Sequence, residues 1–248
     1  MIKIKTEKEI ELIHRACQVA VKVLKRLKQS LRPGITTEEL DKEGERLFKE
    51  LDADSAFKGY RGYPANICTS VNEEVVHGIP GKRRLKEGDI ISLDVGAKIN
   101  GYFGDTARTF PVGEASQPAK KLLQVTQDAL NCGIACAREG NHLLDISSAI
   151  QSYVESCGYS VVRKFVGHGI GSQMHEEPEI PNFGRPGQGP ILKAGMVLAI
   201  EPMVNTGSFE VEILADKWVA VTKDGGLSAH FEHTICITKN SPEVLTTW

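Results

Sequence analysis

The sequence predicts an α+β protein made of two related halves, and three observations carry that prediction. The segment Lys86-Glu87-Gly88-Asp89-Ile90-Ile91-Ser92-Leu93-Asp94 recurs later as Lys193-Ala194-Gly195-Met196-Val197-Leu198-Ala199-Ile200-Glu201, with Lys on Lys, Gly on Gly and Asp94 on Glu201. Upstream, Arg32-Pro33-Gly34 and Arg138-Glu139-Gly140 stand at nearly the same offset from these segments. Before each of those glycines runs a long helical pattern, and after it a shorter one followed by strands. We therefore expect one domain over residues 1–248 with an internal duplication, about 6–112 and 116–240. Its halves would be related by a pseudo-two-fold axis, sharing one curved antiparallel sheet with helices on its outer face.

Each element has a local reason. Ile10, Ile13, Cys17, Ala20, Val21 and Leu24 recur at three- and four-residue steps, the period of one buried helical face. That pattern predicts a helix over 6–30, followed by others over 37–51, 117–138 and 144–157. Gly34 and Gly140 are expected to stop the helices before them. Residues 90–97 and 102–111 read as strands around Asn100-Gly101, whose tolerance of positive φ marks a two-residue hairpin. In that register Gly96 faces Asp105, which puts Asp94 and Asp105 diagonally adjacent on one face. In the second half, 209–214 and 217–222 read as additional strand. This insertion leaves no direct register for Glu201 and Glu232, so their shared face follows from the duplication alone.

Burying a carboxylate without a partner costs several kcal/mol, so an apolar strand that carries one at equivalent places of a duplication calls for a cation. Asp94, Asp105, Glu201 and Glu232 are four such groups, and the alternative for the first pair is backbone capping. His168, in Gly167-His168-Gly169-Ile170-Gly171, adds an imidazole on a backbone open to close approach. This donor set carries too much negative charge for one structural zinc. It suits two divalent ions sharing carboxylates at roughly 3.5–4 Å. Water held between such ions ionises near neutral pH and attacks a polarised carbonyl, which makes metal-assisted amide hydrolysis the expected chemistry. Oxygen-rich ligation with a single imidazole admits Mn, Fe(II), Co or Zn.

Other chemistries are excluded. His175-Glu176-Glu177-Pro178-Glu179 has Glu179 where HExxH needs its second histidine, and neither a Walker A loop nor a GxSxG elbow occurs. A net charge of −2 gives no nucleic-acid footprint, so no nucleic-acid sequence recognition is expected. Six scattered cysteines without a CxxC pair suggest free thiols. The charged N-terminus lacks a signal-peptide core and no segment reads as a membrane span, so we expect a cytoplasmic protein with no membrane partner.

Asp94, Asp105, His168, Glu201 and Glu232, in this order and with His175-Glu176-Glu177-Pro178, resemble the ligand set of the type I methionine aminopeptidases, which have the pita-bread fold. The resemblance spans nearly the whole chain, through Gly59-Tyr60-Arg61-Gly62-Tyr63-Pro64 and His77-Gly78-Ile79-Pro80. It implies two divalent metal ions, bridged by Asp105 and Glu232, with Asp94 on one ion. It also implies Glu201 as both ligand and general acid/base, and His77 and His175 as substrate-side catalytic donors. The methionine side chain would be received by Tyr60, Tyr63, Cys68, Phe165 and Trp218. The implied substrate is the N-terminal methionine of nascent polypeptides with a small second residue, with transient ribosome association and a monomeric protein. Because Ile2 is bulky, the chain would keep its own Met1. Two positions depart from the pattern: Met174 stands where many relatives carry Phe, and His230 where some carry Gln. The start of the chain close to its first helix suggests the short bacterial or organellar form. An Xaa-Pro aminopeptidase or prolidase on the same fold, and a metal-free binding module, are the competing readings.

Overall fold

A computed structural model describes residues 2–248; Met1, on which the retention expectation falls, lies outside them. The first half contains α1 (Glu7–Ser30), α2 (Thr37–Glu50), β1 (Asp54–Ser55), β2 (Cys68–Val71), β3 (Glu74–Val76), β4 (Ile90–Ile99) and β5 (Tyr102–Pro111). The second contains α3 (Gln117–Cys136), α4 (Leu143–Ser156), β6 (Ser160–Val161), β7 (Val166–Gly169) and β8 (Glu176–Pro181). It continues through β9 (Val197–Ile200), β10 (Met203–Asn205), β11 (Val211–Ile213), β12 (Ala220–Thr222), β13 (Ser228–His230), β14 (His233–Cys236) and β15 (Glu243–Val244).

The duplication is visible in the hydrogen bonds. Thr36 and His142 cap α2 and α4, and their backbone N–H groups donate to Glu39 (2.7 Å) and Asp145 (2.8 Å) three residues on. Each cap also forms an isolated bridge, Thr36 with Arg84 and His142 with Ile191. Gly34 N–H donates to the Leu85 carbonyl (2.7 Å), and Gly140 N–H to that of Leu192 (3.0 Å). These glycines are not helix stops, since α1 ends at Ser30 and α3 at Cys136. They form the turns that lead into the next helix, at φ +88° and +90°, a conformation glycine adopts without steric cost.

Binary alternation places the helices and the polar face on opposite sides of the strands. Leu93, Val95 and Ala97 of β4 pack with Ala20, Val23 and Leu24 of α1. Leu198 and Ile200 of β9 pack with Leu122 and Ala129 of α3 and Ile146 of α4. The side chains between them, Asp94 on β4 and Ala199 with Glu201 at β9, fall on the other face. The β4–β5 ladder has the expected register, Ile99 with Tyr102 and Gly96 with Asp105, around Asn100 (φ 52°) and Gly101 (φ 81°).

Among the described residues the strands form four antiparallel sheets: β1, β2, β4 and β5; β3, β11 and β12; β6, β10 and β13; and β7, β8, β9, β14 and β15. The halves meet where β5 lies against β13 and β14. There Glu232 N–H donates to the Ala107 carbonyl (2.8 Å) and the Thr106 hydroxyl to the Glu232 carbonyl (3.0 Å). The β11–β12 hairpin pairs with β3 through Ala220 and Val76, which carries the neighbouring Trp218 to the mouth of the cleft beside His77.

Candidate metal centre and its cleft

Asp94 and Asp105 come from the β4–β5 hairpin, His168 from β7, Glu201 from just after β9, and Glu232 from the short link between β13 and β14. Asp105, His168 and Glu232 are 4%, 5% and 2% exposed, and each turns a ligand atom within 4.8 Å of those of the other two. His168 Nε2 lies 3.5 Å from Glu201 Oε1 and 3.9 Å from Asp105 Oδ2. His168 Nδ1 lies 3.0 Å from the Gly169 carbonyl, so the hydrogen belongs on Nδ1 and a lone pair is left on Nε2. The flanking glycines are set by packing: a Cβ on Gly167 would meet the Ala199 carbonyl, and one on Gly169 the Glu177 carbonyl.

Burial pushes the Asp105 carboxyl up to about 7. Asp94, Glu201 and Glu232 are held well above the usual carboxylate range, by burial first and then by the nearby charge of Asp105. Buried Oδ1 of Asp94, Oδ1 of Asp105 and Oε1 of Glu232 have no hydrogen-bond partner among the described residues. Orphaned carboxylate oxygens converging beside an imidazole lone pair fit divalent cations, which would both neutralise and coordinate them.

Against the carboxylates lies a recess walled by Phe57, Tyr63, Cys68, Met174 and Trp218. Tyr63 is fixed by its hydroxyl, which lies 3.0 Å from the Gly78 carbonyl and 3.1 Å from that of Ile67. Its ring meets Trp218 edge-on at 5.1 Å. Cys68 sits beside Asp94 in the β2–β4 register. Tyr60 lines the recess and holds His175: the rings stack at 5.2 Å and the Tyr60 hydroxyl lies 2.9 Å from His175 Nδ1. Phe165 lies instead along the outer cleft, edge-on to His77 at 5.4 Å. His77 adopts φ 61°, and burial lowers its imidazole to about 4. His175 is lowered to about 3 by burial and then by the neighbouring His168, Arg61 and His77.

Sequence reasoning did not find Phe57, whose ring joins the recess from the segment after β1, because an aromatic in a short loop carries no periodic signal. It also gave no role to Arg61, which lines both recess and outer cleft.

Residues 11–239 match the sequence profile of metallopeptidase family M24. The chain belongs to metallopeptidase family M24. As an M24 metallopeptidase it uses divalent metal, and the converging acids and imidazole are its candidate site. It is 54% identical over 247 residues to a methionine aminopeptidase of Clostridium acetobutylicum, covering 99% of each chain. It is equally 54% identical, over 246 residues and 99% of each chain, to methionine aminopeptidase 1 of Bacillus subtilis. The crystal structure of the Thermotoga maritima methionine aminopeptidase superposes with a TM-score of 0.98 at 47% identity, over the full length of both chains. A prolidase from Pyrococcus furiosus shares the pita-bread fold at a TM-score of 0.80 and 26% identity, over 99% of this chain and 65% of the prolidase. The M24 chain thus has the expected α+β pita-bread architecture, and its greater similarity is to the methionine aminopeptidases.

Proposed function

We propose that this M24 metallopeptidase removes the N-terminal methionine from polypeptides whose second residue is small. The observation that carries the reading is an apolar, sulfur-lined recess ending directly on the carboxylate–imidazole cluster. A methionine side chain seated between Tyr63, Cys68, Met174 and Trp218 would bring its own peptide bond over Glu201 and His168. The similarity to methionine aminopeptidases supports the reading as an aminopeptidase and favours methionine as the residue in the recess.

In this reading Asp94, Asp105, His168, Glu201 and Glu232 would hold two divalent ions, of Mn, Fe(II), Co or Zn, with Asp105 and Glu232 each offering two carboxylate oxygens. When bound, the ions polarise the scissile carbonyl and acidify water. Glu201, at the edge of the cluster, takes the proton of the attacking water and passes it to the departing amine nitrogen. The Tyr60 hydroxyl donates to His175 Nδ1, which places the hydrogen on Nε2. His175 then donates into the cleft where negative charge develops on the carbonyl oxygen. His77, wedged between Phe165 and Trp218, offers a second neutral donor from the other wall.

The reading extends, through the family, to one catalytic domain with two repeats. It further takes the protein as a monomer in the cytoplasm that meets nascent chains in transient contact with the ribosome. Among the described residues no helix is long and apolar enough to cross a membrane.

Methionine release from a Met-Ala-Ser peptide tests the reading, first with chelator and then with each metal restored. Chelator-sensitive release that returns with metal supports it. Cleavage of a Leu-Pro peptide without release from Met-Ala-Ser would move the assignment to the prolidase-like enzymes. Intact-mass measurement should show Met1 retained before Ile2.

A further inference from the structure

The pseudo-two-fold axis gives His230 a place that the ligand set leaves unused. The Thr234 hydroxyl clasps the backbone of Asp105: it accepts from Asp105 N–H (3.3 Å) and donates to the Asp105 carbonyl (2.8 Å). The Thr109 hydroxyl clasps His230 in the same way, at 2.9 Å for both bonds. The Glu232-to-Ala107 bond lies between the two clasps. His230 therefore occupies in the second half the position that Asp105 occupies in the first, on a backbone held equally firmly. Its side chain is 2% exposed and its Nε2 has no hydrogen-bond partner among the described residues. That nitrogen faces Glu201, whose Oε2 lies 3.5 Å away.

The two oxygens of Glu201 thus face two different imidazoles, Oε1 toward His168 and Oε2 toward His230. His168 presents a lone pair, because its hydrogen is drawn to the Gly169 carbonyl. An imidazole lone pair and a carboxylate lone pair facing each other at His230 would repel. A hydrogen on Nε2 turns the same approach into attraction, whether the ring is neutral or protonated.

We propose that His230 is a positioning residue: its Nε2–H donates to Oε2 of Glu201 and holds that carboxylate with Oε1 turned toward the reacting water. The proposal rests on the reading of Glu201 as the proton shuttle. A donor here fixes the carboxylate without competing for a metal, which a second imidazole ligand would do.

The test compares His230→Leu and His230→Gln with the unaltered protein in three measurements. These are kcat and KM on Met-Ala-Ser, Mn affinity by calorimetry, and ¹⁵N NMR of the histidine-labelled, zinc-loaded protein. His230→Leu should lower kcat about 10-fold or more, the usual range for a partner of a ligand carboxylate, while KM and Mn affinity change less than about threefold. His230→Gln, whose amide N–H₂ can reach the same oxygen, should recover kcat to within about threefold. The NMR spectrum of the unaltered protein should show hydrogen on Nε2 of His230. Unaltered kcat in His230→Leu would overturn the proposal. So would a loss of Mn affinity matching the loss of kcat, which would make the ring a ligand, or an Nε2 without hydrogen. If His230→Leu fails to fold, His230→Gln and the NMR spectrum decide. If the unaltered protein releases no methionine, the functional reading falls, while the NMR spectrum still decides the contact with Glu201.

Discussion

Gly34 and Gly140 hold nearly the same left-handed backbone, and each donates to the carbonyl of an equivalent leucine. Asp105 and His230 also hold equivalent places, gripped by equivalent threonines, yet one is a carboxylate and the other an imidazole. Ala107 and Glu232 show the same contrast on the axis itself. At these positions the halves share the residues that shape the backbone and differ at the residues that face the cleft. A duplicated scaffold supplies paired positions for ligands, and replacement of side chains at those positions makes the pair asymmetric enough to have an acid/base side and a binding side.

The sharpest break of the symmetry is expected at Glu201 and its repeat mate Asp94. Glu201→Gln should lower kcat by about 10²–10⁴-fold, the range for removing a general acid/base. Asp94→Asn should act mainly on metal affinity, so that excess metal restores much of its turnover. Equal kcat losses at saturating metal would show the two halves contributing the same chemistry.

Metal removal should expose the strain of the shared acids. Burial raises Asp105 to about 7 in the folded chain, and Asp94, Glu201 and Glu232 move the same way. A folded state that holds its protons more tightly than the unfolded chain loses stability as pH rises through that window. In the chelated protein the acids should therefore cost stability between about pH 4 and 7, against the gain that the lowered, buried imidazoles of His77, His168 and His175 bring over the same range, and metal, by replacing the acids' protons, removes their share. Thermal melts with chelator and with Mn should diverge as pH increases. Parallel melts would mean the cluster does not hold the metal.

Smaller effects sharpen the comparison. Thr109→Val and Thr234→Val each remove a buried hydroxyl that bonds the opposite half, at about 1–3 kcal/mol in denaturant unfolding. Thr234→Val should also weaken metal binding through Asp105, while Thr109→Val should act on kcat through His230. The smallest effect is expected at Gly34→Ala and Gly140→Ala, about 1 kcal/mol each from the left-handed backbone, since a Cβ meets open space at both. Matching losses there, beside unequal ones at the threonines, would confirm that scaffold and site have separated.

The hairpin around Asn100-Gly101 made the first carboxylate pair legible to the residue, because a two-residue turn dictates register. No such turn joins Glu201 to Glu232. Residues 203–230 intervene, and Glu232 enters the cluster across the pseudo-axis, bonded to Ala107, rather than by the diagonal relation that joins Asp94 and Asp105. The glycines of Gly167-His168-Gly169 were legible as a close approach, but the approaching groups are carbonyls of neighbouring chain segments. Phe165 was grouped with the recess residues through the family resemblance, and the structure lays it along the outer cleft, which only tertiary folding decides. The helix starts are fixed by capping boxes, where Thr6 and Thr36 bond to Glu9 and Glu39, whereas no such motif marks the end of α3 at Cys136, two residues short of the expected bound.

The Thr106-to-Glu232 bond has a consequence for how the protein is made. It joins residues 126 positions apart, and closing so long a loop is entropically slow. Synthesis proceeds from the N-terminus, so the first half can collapse around α1 long before its partner strand exists. The carboxylate cluster is completed only when the chain through Thr234 has left the ribosome. Until the second half emerges, Asp94 and Asp105 are the members of the cluster already present, and the complete cluster is a late product of synthesis.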